Sequence, residues 1–441
     1  MEPQLLDRLA AWIAIPSISA DAAHAPDVAR AGEWLCEQLR AAGGEAELVD
    51  WEGHPLAVGE LRASTGAETA PTVLCYGHFD VQPPDPLELW ETPPFETSVR
   101  DGQVFARGIA DDKGQLFLLL EAASRLARSG ELPVNVRFAC DGEEETGGHS
   151  IVDYLAADER GADVCVIFDS SMVARDRPAF NIATRGLCYF HLTLRTGARD
   201  LHSGIYGGSA MNALNVLGRV LAAVLPGDDG RLPEPLRLGV APTSDEERQA
   251  WGVLPMGADE LVAQGARPLD GRAAEEFYLR TWSEPAVDVH GIAGGSPELQ
   301  KTVLPVEAVA NVSIRLAPGQ DPEEIAPEFE RLLREATPDG AELTVERWAS
   351  SDPGLVDQAS PAIQLGLDAF ERVLGVRPLL VRSGGTLPIV PALAAKGIPA
   401  ILTGFALPDS NIHSPNERME VEYLPKGVAA AEELFRAFAA L

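Results

Sequence analysis

Five short stretches of the chain carry carboxylates or histidines whose types and spacing could do chemistry together. Each directly follows a run that reads as a buried β-strand. The stretches are Gly77–Asp80, Asp111–Asp112, Glu143–Glu145, Phe168–Ser170 and Asn411–His413. Carboxylates and imidazoles are costly to desolvate, so gathering several at one sheet edge requires a compensating charge. A pair of divalent metal ions would supply that charge.

The first stretch pairs a histidine with a carboxylate two residues later. In an extended chain after the predicted strand Thr72–Tyr76, the side chains of His78 and Asp80 point the same way. A neighbouring carboxylate can fix the histidine tautomer and orient the other ring nitrogen toward a metal. The same pair also fits a strand-end histidine bonded to a loop carboxylate, so alone it does not decide the question.

The second stretch, Asp111 and Asp112, lies just ahead of a predicted helix. Acidic residues at a helix start are ordinary N-terminal caps, which is one reading of this pair. The other reading places one carboxylate between two cations. Gly108 and Gly114 flank the pair and would permit an unusual local backbone there.

The third stretch is a run of three glutamates after the predicted strand Val134–Ala139. Adjacent carboxylates repel each other, so a solvated helix start is one account. However, open α/β sheets bind ligands at this edge. One glutamate could hold a metal while its neighbour activates a water, which is a standard route to amide hydrolysis. Asp169 and His413 are weak signals singly, but the five stretches jointly favour a metal centre.

The composition limits the class of protein. The chain has 441 residues, 46% hydrophobic and 23% charged, which predicts a globular protein of two domains. A formal net charge of -32 argues against nucleic acid as a partner, since phosphate binding needs basic surfaces. The five cysteines form no Cys-x-x-Cys pair and read as buried reduced thiols. We find no cationic leader and no apolar stretch of membrane-spanning length, so we expect a soluble cytoplasmic protein without a membrane partner.

The order of predicted elements indicates an α/β fold with a mostly parallel sheet flanked by helices. Strands rich in Val, Ile and Leu without alternation are typical of a sheet covered on both faces. They are Thr72–Tyr76, Val134–Ala139 and Val164–Phe168, with helices at Gln115–Ala127 and Ile151–Ala157 between them. This alternation of buried strands and helices predicts the first part of a catalytic domain over residues 1–185.

Near Gly186 the sequence pattern changes to one typical of an α+β layer with an antiparallel sheet. The predicted strands are Leu187–Leu194, Ala308–Leu316 and Leu343–Trp348, with helices at Met211–Leu225 and Pro322–Ala336. We therefore predict an inserted domain over 186–348. The alternation of helices and apolar strands returns over 349–441, which we predict to be the second part of the catalytic domain. The catalytic domain is therefore discontinuous in sequence. The segment Pro226–Pro297, rich in Pro, Gly and acidic residues, yields no prediction.

Four motifs resemble those of the di-zinc metallopeptidases, the family of carnosinases, cytosolic nonspecific dipeptidases, aminoacylases and succinyl-diaminopimelate desuccinylase. The motifs are Tyr76–Pro83, Arg107–Gly114, Asp141–Gly147 and His413–Glu417, in the family's order along nearly the whole chain. Asp200–Gly204 and Arg382–Thr386 resemble the carnosinase and nonspecific dipeptidase branch most. The resemblance implies a zinc-exopeptidase-like catalytic domain with an inserted lid or dimerisation domain.

The resemblance also implies a role for each metal-site residue. His78 and Asp169 would bind one metal, Glu145 and His413 the other, and Asp111 would bridge both. Asp80 would steady His78, Glu144 would be the general base and acid, and the peptide between Asp111 and Asp112 would be cis. The Thr146-Gly147 that follows the glutamates sets this frame among three adjacent candidates. The motif begins with Asp141, where many relatives have glutamate, an exchange at a position without a catalytic role.

Substrate contacts are implied outside the metal site. His202 of the inserted domain would reach into the partner subunit's site and stabilise the oxyanion. Arg315 and the loop of Ser383, Gly384 and Gly385 would hold the substrate carboxylate, assisted by Arg382. From the residues alone, His202 also fits a cap within the lid, and Arg315 an outward side chain on an alternating strand.

The expected function is metal-dependent hydrolysis of dipeptides or short peptides through a metal-bridging hydroxide, with Glu144 as general base. Two divalent ions per subunit are implied, with Zn2+ favoured and Mn2+ or Co2+ compatible. The expected partners are a small peptide substrate and a second copy of the chain, forming a homodimer through the inserted domain. The alternative is an N-acyl-amino-acid amidohydrolase, a deacylase or desuccinylase. A non-catalytic scaffold is a third reading, but every implied ligand and the base are present.

Overall fold

The computed structural model describes residues 3–51 and 53–441. Within them the α-helices are α1 Pro3–Ile13, α2 Ala25–Ala41, α3 Lys113–Ser129, α4 Ser150–Ala157, α5 Ser203–Tyr206, α6 Ala213–Ala222, α7 Asp245–Trp251, α8 Gly257–Ala263, α9 Phe277–Ser283, α10 Pro322–Glu335, α11 Pro361–Leu374, α12 Ile389–Ala395 and α13 Tyr423–Phe438. Short 3-10 helices span Ala22–His24, Leu87–Leu89, Glu144–Thr146 and Glu234–Arg237. None of the helices in the described residues has the length and apolar character needed to span a bilayer.

The strands in the same residues are β1 Glu45–Val49, β2 Leu56–Leu61, β3 Thr72–Tyr76, β4 Ser98–Arg100, β5 Gln103–Phe105, β6 Asn135–Cys140, β7 Val164–Phe168, β8 Ala179–Thr184, β9 Gly186–Arg195, β10 Leu201–His202, β11 Ala286–Ala293, β12 Val303–Leu304, β13 Glu307–Leu316, β14 Glu342–Ser351, β15 Gly354–Leu355, β16 Leu379–Ser383, β17 Ala400–Thr403 and β18 Arg418–Glu420.

The chain divides into two compact units. The first unit comprises Met1–Ile182, Val356–Val381 and Ala392–Leu441, and the second comprises Ala183–Leu355 and Arg382–Pro391. The second unit thus contains the whole of the predicted insertion 186–348, a few residues on either side of it and a short later segment. The predicted domains 1–185, 186–348 and 349–441 stay a prediction about how the chain is organised.

The first unit is built on a large sheet whose strands run in the order β1-β2-β6-β3-β7-β17-β8. The central four strands, β6, β3, β7 and β17, are parallel, and the strands β1 and β2 at one side are antiparallel. β6 and β7 are buried along their whole length, which explains their continuous apolar sequences. The α2 helix packs against β1 and β2, and α13 packs against α3 and α11. The predicted α/β fold class is confirmed.

The α3 helix connects two neighbouring parallel strands, since it lies in the chain between β3 and β6. Asp112 is its N-terminal cap residue, and it ends at Gly130, which adopts the left-handed conformation that glycine tolerates best. The peptide between Asp111 and Asp112 is cis, as the resemblance implies. This crossover returns the chain to the sheet and carries the Asp111–Asp112 stretch at its start.

The second unit contains an antiparallel sheet in the order β11-β13-β9-β14. Buried and half-buried residues alternate along β9, so one face of the sheet is covered. The covering helices are α6 and α10; for example, Phe190 of β9 stacks on Phe329 of α10 with ring centroids 4.7 Å apart. The predicted antiparallel α+β layer is therefore confirmed.

Candidate metal centre

The topology of the large sheet explains why distant residues meet. The carboxyl ends of β6, β3, β7 and β17 lie at one edge because these neighbouring strands are parallel. His78 follows β3, Glu145 follows β6, Asp169 comes directly after β7, and His413 lies in the loop after β17. Asp111 enters the same place from the start of the α3 crossover.

These five residues form two groups of possible metal ligands that share Asp111. One group is His78, Asp111 and Asp169, and the other is Asp111, Glu145 and His413, with the ligand atoms of each group within 4.8 Å of one another. Asp111 Oδ1 lies 3.0 Å from His78 Nε2, while Asp111 Oδ2 lies 2.9 Å from His413 Nε2. Each oxygen of one carboxylate therefore faces a different group. That these residues bind metal stays a prediction.

The charge at this place fits two divalent cations. Asp111, Glu145 and Asp169 bring three carboxylates, and in the described residues their ion pairs are only with His78 and His413. The Oε1 atom of Glu145 is buried and lacks a hydrogen-bond partner. A buried carboxylate oxygen without a donor, beside two imidazoles, is the kind of ligand set that zinc and similar ions bind.

The neighbouring carboxylates favour the protonated form of both histidines when no cation is bound. Burial opposes the charged form of His78, but hydrogen bonds with Asp111 and Asp80 outweigh it and raise its pKa well above the usual value. Hydrogen bonds with Asp111 and Glu145 raise the pKa of His413 to about 10. Ligands must be deprotonated to bind a metal, so cation binding here would displace protons.

The run of three glutamates divides into different environments. Glu143 is structural: its Oε2 accepts a hydrogen bond of 2.9 Å from the His54 N–H, and its Oε1 accepts one of 3.1 Å from the Ser150 N–H at the start of α4. Glu145 belongs to the second ligand group. The structure thus leaves Glu144 as the member of the run without a structural or ligand position.

Glu144 has the properties of a proton carrier. It is half-buried, and burial raises its pKa, with a further increase from Glu145 and Asp111 and an opposing effect of His78. A carboxylate whose pKa is raised is a stronger base than an ordinary one, which suits a group that takes and returns a proton. The geometry therefore allows the role of general base, which stays a prediction.

Asp80 links the two ligand groups. Its Oδ1 lies 3.3 Å from His78 Nδ1, on the ring edge opposite the ligand nitrogen. Its Oδ2 accepts hydrogen bonds from Ser19 Oγ at 2.6 Å and from the Glu145 N–H at 3.1 Å. Gln82 Nε2 donates to Glu145 Oε2 at 2.9 Å. Sequence reasoning missed Gln82, which lies in the same motif as His78, and Ser19, for which the motifs gave no signal.

Glu417 holds the loop that carries Asp111. This carboxylate is fully buried and accepts four hydrogen bonds, from Arg107 Nη1 at 2.7 Å and from the N–H groups of Gly108, Ala110 and Asp111 at 2.9, 2.8 and 3.1 Å. Glu417 shares a loop with His413, so it ties the two segments together. Glu417 lies in the motif His413–Glu417, but the sequence pattern alone indicates no role for it.

The predicted substrate residues lie in the second unit. His202 is exposed, and its Nδ1 accepts a hydrogen bond of 3.0 Å from the Gly204 N–H, which leaves Nε2–H of the neutral ring as a donor. Arg315 Nη1 donates to Thr386 Oγ1 at 2.7 Å. Arg382 is buried and its Nε donates to Glu247 at 2.9 Å, so its charge already has a partner.

The loop after Arg382 approaches Arg315 and one arginine that sequence reasoning missed. Ser383 Oγ accepts a hydrogen bond of 3.1 Å from the Gly385 N–H, which shapes the turn. Arg185 Nε donates to the Gly384 carbonyl at 3.0 Å. Arg185 directly precedes β9, and only the fold reveals that it reaches this loop.

Comparison with known proteins gives a consistent result. The model of peptidase family M20/M25/M40 matches residues 74–437. The Cys-Gly metallodipeptidase dug1 of Schizosaccharomyces pombe is 27% identical, over 96% of this chain and 93% of its own length. The Beta-Ala-His dipeptidase of Homo sapiens is 26% identical, over 85% of this chain and 76% of its own length.

Solved structures agree. The M20 family metallo-carboxypeptidase Sso-CP2 from Sulfolobus solfataricus superposes with a TM-score of 0.85 at 26% identity, covering 100% of both chains. Because the family model extends over most of the chain, and dug1 and Sso-CP2 match it nearly end to end, the protein is a metallopeptidase and belongs to peptidase family M20/M25/M40.

Proposed function

We propose that this metallopeptidase hydrolyses dipeptides. The observation that carries the proposal is the pair of ligand groups sharing Asp111, with Glu144 beside them. The relatives named for Cys-Gly and Beta-Ala-His hydrolysis support the substrate class, since both names describe dipeptides. They do not favour the alternative of an N-acyl-amino-acid amidohydrolase.

The two ligand groups would each hold one divalent cation, with Asp111 shared. Zn2+ suits two imidazoles and three carboxylates, and Mn2+ or Co2+ could occupy the same set. When bound, the ions would polarise the scissile carbonyl and lower the pKa of a water molecule. Asp80 would keep the His78 ring oriented through Nδ1.

The remaining steps belong to protein side chains. Glu144 takes a proton from the attacking water and returns it to the leaving amine. His202 donates its Nε2–H to the developing oxyanion. The terminal carboxylate is held by Arg315 and by the turn of Ser383, Gly384 and Gly385. Arg382 supports substrate binding indirectly, because its contact with Glu247 keeps that turn in place.

The proposal also covers the cellular compartment and the oligomeric state of the enzyme. The five cysteines are free and buried, which suits a reducing cytoplasm. A homodimer through the inserted domain would allow His202 to serve the site of a second copy, as the resemblance implies.

The test is a substrate panel on protein stripped of metal and reloaded with zinc, manganese or cobalt. We expect hydrolysis of Cys-Gly, β-Ala-His and Ala-Gly after reloading and loss of activity on chelation. Faster hydrolysis of N-acetyl or N-succinyl amino acids than of every dipeptide would instead identify an amidohydrolase. Full activity after exhaustive metal removal would refute the metal centre.

A second candidate is removal of C-terminal residues from longer peptides. The similarity to a metallo-carboxypeptidase over the full length favours it. Both activities need a free α-carboxylate, so peptide length separates them. Kinetics with di-, tri- and tetra-alanine decide: kcat/KM falling steeply with length supports a dipeptidase, whereas a constant value supports a carboxypeptidase.

A further inference from the structure

Two arginines of the second unit meet at one glycine turn without a carboxylate partner. Arg185 donates from Nε to the Gly384 carbonyl at 3.0 Å, and Arg315 donates from Nη1 to Thr386 Oγ1 at 2.7 Å. Neither guanidinium has an Asp or Glu oxygen within 4.0 Å among the side chains that the structure describes. Nearby Arg382 differs, because Glu247 neutralises it.

This lack of partners stands out against the composition. The chain has 67 acidic residues and only 35 basic ones, so a cation should readily find a carboxylate. The other arginines of the unit that are not exposed, namely Arg231, Arg280 and Arg382, all pair with a carboxylate, and the described arginines of the unit that lack such a partner, such as Arg237, are exposed to water. A pair of cations left together in an acidic protein implies an external anion.

The positive charges of the two guanidinium groups also repel each other. Burial lowers the pKa of Arg185, and the charge of Arg315 lowers it further, to about 10. Burial likewise lowers the pKa of Arg315. Asp288 acts in the opposite sense on both but forms no ion pair with either in the described structure. A bound anion would relieve this repulsion.

The backbone fixes the spacing of the pair. Arg315 lies on β13 opposite Leu187 of β9, and Arg185 directly precedes β9. The Arg185 N–H also donates to the Gly385 carbonyl at 3.0 Å, so this residue contacts the turn twice. A Cβ atom at Gly384 would lie 2.9 Å from the Thr281 carbonyl and 3.4 Å from Arg185 Nη2, so the turn needs glycine to approach this closely.

We propose that this pair selects substrates with two carboxylates at the C-terminal residue, namely dipeptides ending in glutamate or aspartate. Arg315 holds the α-carboxylate, and Arg185 holds the side-chain carboxylate. An α-carboxylate alone would leave one guanidinium uncompensated, whereas a second carboxylate neutralises both through charge-assisted hydrogen bonds. The inference rests on the proposed dipeptidase function and names its substrate class.

The test compares Ala-Glu with Ala-Gln and Ala-Asp with Ala-Asn on the metal-loaded enzyme. These pairs match in size and differ in charge. We expect kcat/KM to favour the acidic member by on the order of tenfold or more. Arg185→Gln should lower kcat/KM for Ala-Glu far more than for Ala-Gln, so that the ratio falls toward one. Arg185→Lys should keep part of the preference, and Arg237→Gln, which removes an exposed charge, should leave the ratio unchanged.

Two results would overturn the inference while leaving dipeptide hydrolysis intact. One is equal kcat/KM for Ala-Glu and Ala-Gln in the unmodified enzyme, a measurement that needs no variant to fold. The other is an equal loss for both substrates in Arg185→Gln, which would make Arg185 a brace for the turn. If no dipeptide is cleaved, the proposed function fails. In that case thermal unfolding tests the arginine pair. L-glutamate should raise the melting temperature of the unmodified protein more than L-glutamine does, and this difference should be absent in Arg185→Gln. Equal effects of the two amino acids on the unmodified protein would overturn the inference.

Discussion

At the scale of single residues, two adjacent glutamates provide a matched comparison. Glu143 accepts backbone hydrogen bonds that hold α4 and its neighbouring loop, whereas Glu144 is half-buried, has a raised pKa and is the proposed general base. We predict that Glu144→Gln keeps bound metal and the melting temperature but lowers kcat by roughly 10²–10⁴, the range typical of general acid–base groups. Metal analysis, thermal unfolding and kcat on Ala-Gly measure these effects.

Glu143→Gln is the control for that substitution. It removes the same charge one residue away, so it should lower the melting temperature while the folded fraction keeps most of its kcat. Near-normal turnover of Glu144→Gln, or loss of turnover equally in both variants, would place the proton carrier elsewhere.

Glu417 is a second residue whose importance follows from its contacts. Since it is buried and pairs with Arg107, removing its charge leaves a buried cation without its partner. We predict that Glu417→Gln lowers the free energy of unfolding by about 3 kcal/mol or more and reduces the amount of metal bound, because the Asp111 loop loses its anchor. Chemical denaturation and metal analysis test both effects.

The matched control for Glu417 is Glu422→Gln. Glu422 is partly exposed and pairs with Arg175 and Lys426, an arrangement worth about 0–1 kcal/mol. If the two variants lose equal stability, or if Glu417→Gln retains the full metal content, Glu417 does not position the site.

Metal binding should release protons. His78 and His413 hold protons near neutral pH in the metal-free chain because Asp111 and other carboxylates raise their pKa values. A cation must displace them, so the apparent affinity for zinc should fall as pH falls, by about tenfold per pH unit for each proton displaced. Zinc titration in weakly buffered solution with a pH indicator counts these protons.

His413→Ala should release fewer protons in that titration. His191→Ala is the control, since this imidazole bonds to Asn311 in the second unit. The same proton count for His413→Ala and the unmodified protein would show that the proton comes from another group.

At the scale of elements, the end of α4 has its own acid dependence. Burial alone would raise the pKa of Asp158, but hydrogen bonds from Arg160 and Arg137 outweigh it and lower the pKa to about 2. Because this lies below the ordinary value of 3.8, the stabilisation is present above that pH and is lost as pH falls toward 2. Asp158→Asn should therefore lower the melting temperature at pH 6 and reduce its decline between pH 5 and pH 2.5.

The exposed neighbour Glu159 gives the comparison for Asp158, since Glu159→Gln should leave the acid dependence unchanged. Thermal unfolding across the pH range measures both variants. An unchanged decline in Asp158→Asn would assign the acid sensitivity to other carboxylates.

Some elements follow from the sequence alone, and others do not. The predicted strands Thr72–Tyr76 and Val164–Phe168 have the observed bounds because buried parallel strands are short, continuous apolar runs. The α7, α8 and α9 helices lie in the segment without a prediction. Each spans seven residues, too few turns for a helical period to show, and tertiary contacts such as the edge-on packing of Trp251 and Trp282 support them.

The candidate site shows the same division. Residues at strand ends within motifs were predicted, because parallel strands bring their ends together. The roles of Ser19, Arg185 and Glu417 were not predicted. Each of these residues contacts a partner far away in the chain, and a local sequence pattern does not indicate such a contact. The sequence can therefore predict which residues converge, whereas the groups that orient them require the fold.

At the scale of the whole molecule, the proposed homodimer makes a prediction about complementation. Glu144→Gln and His202→Ala chains should each be inactive as homodimers. If His202 serves the site of the other chain, a heterodimer of the two variants has one complete site: Glu144 of the His202→Ala chain with His202 of its partner. Its rate should be about half that of the unmodified dimer, since closed two-fold dimers have two equivalent sites.

Purification through two different affinity tags isolates this heterodimer. A heterodimer of Glu144→Gln with the unmodified chain is the control, and it should retain about half the rate whether His202 acts within or between chains. An inactive double-variant heterodimer beside an active control would mean that His202 serves its own chain. A chain that stays monomeric at assay concentration would exclude the exchange altogether, because a single copy would then have to complete its site from its own inserted domain.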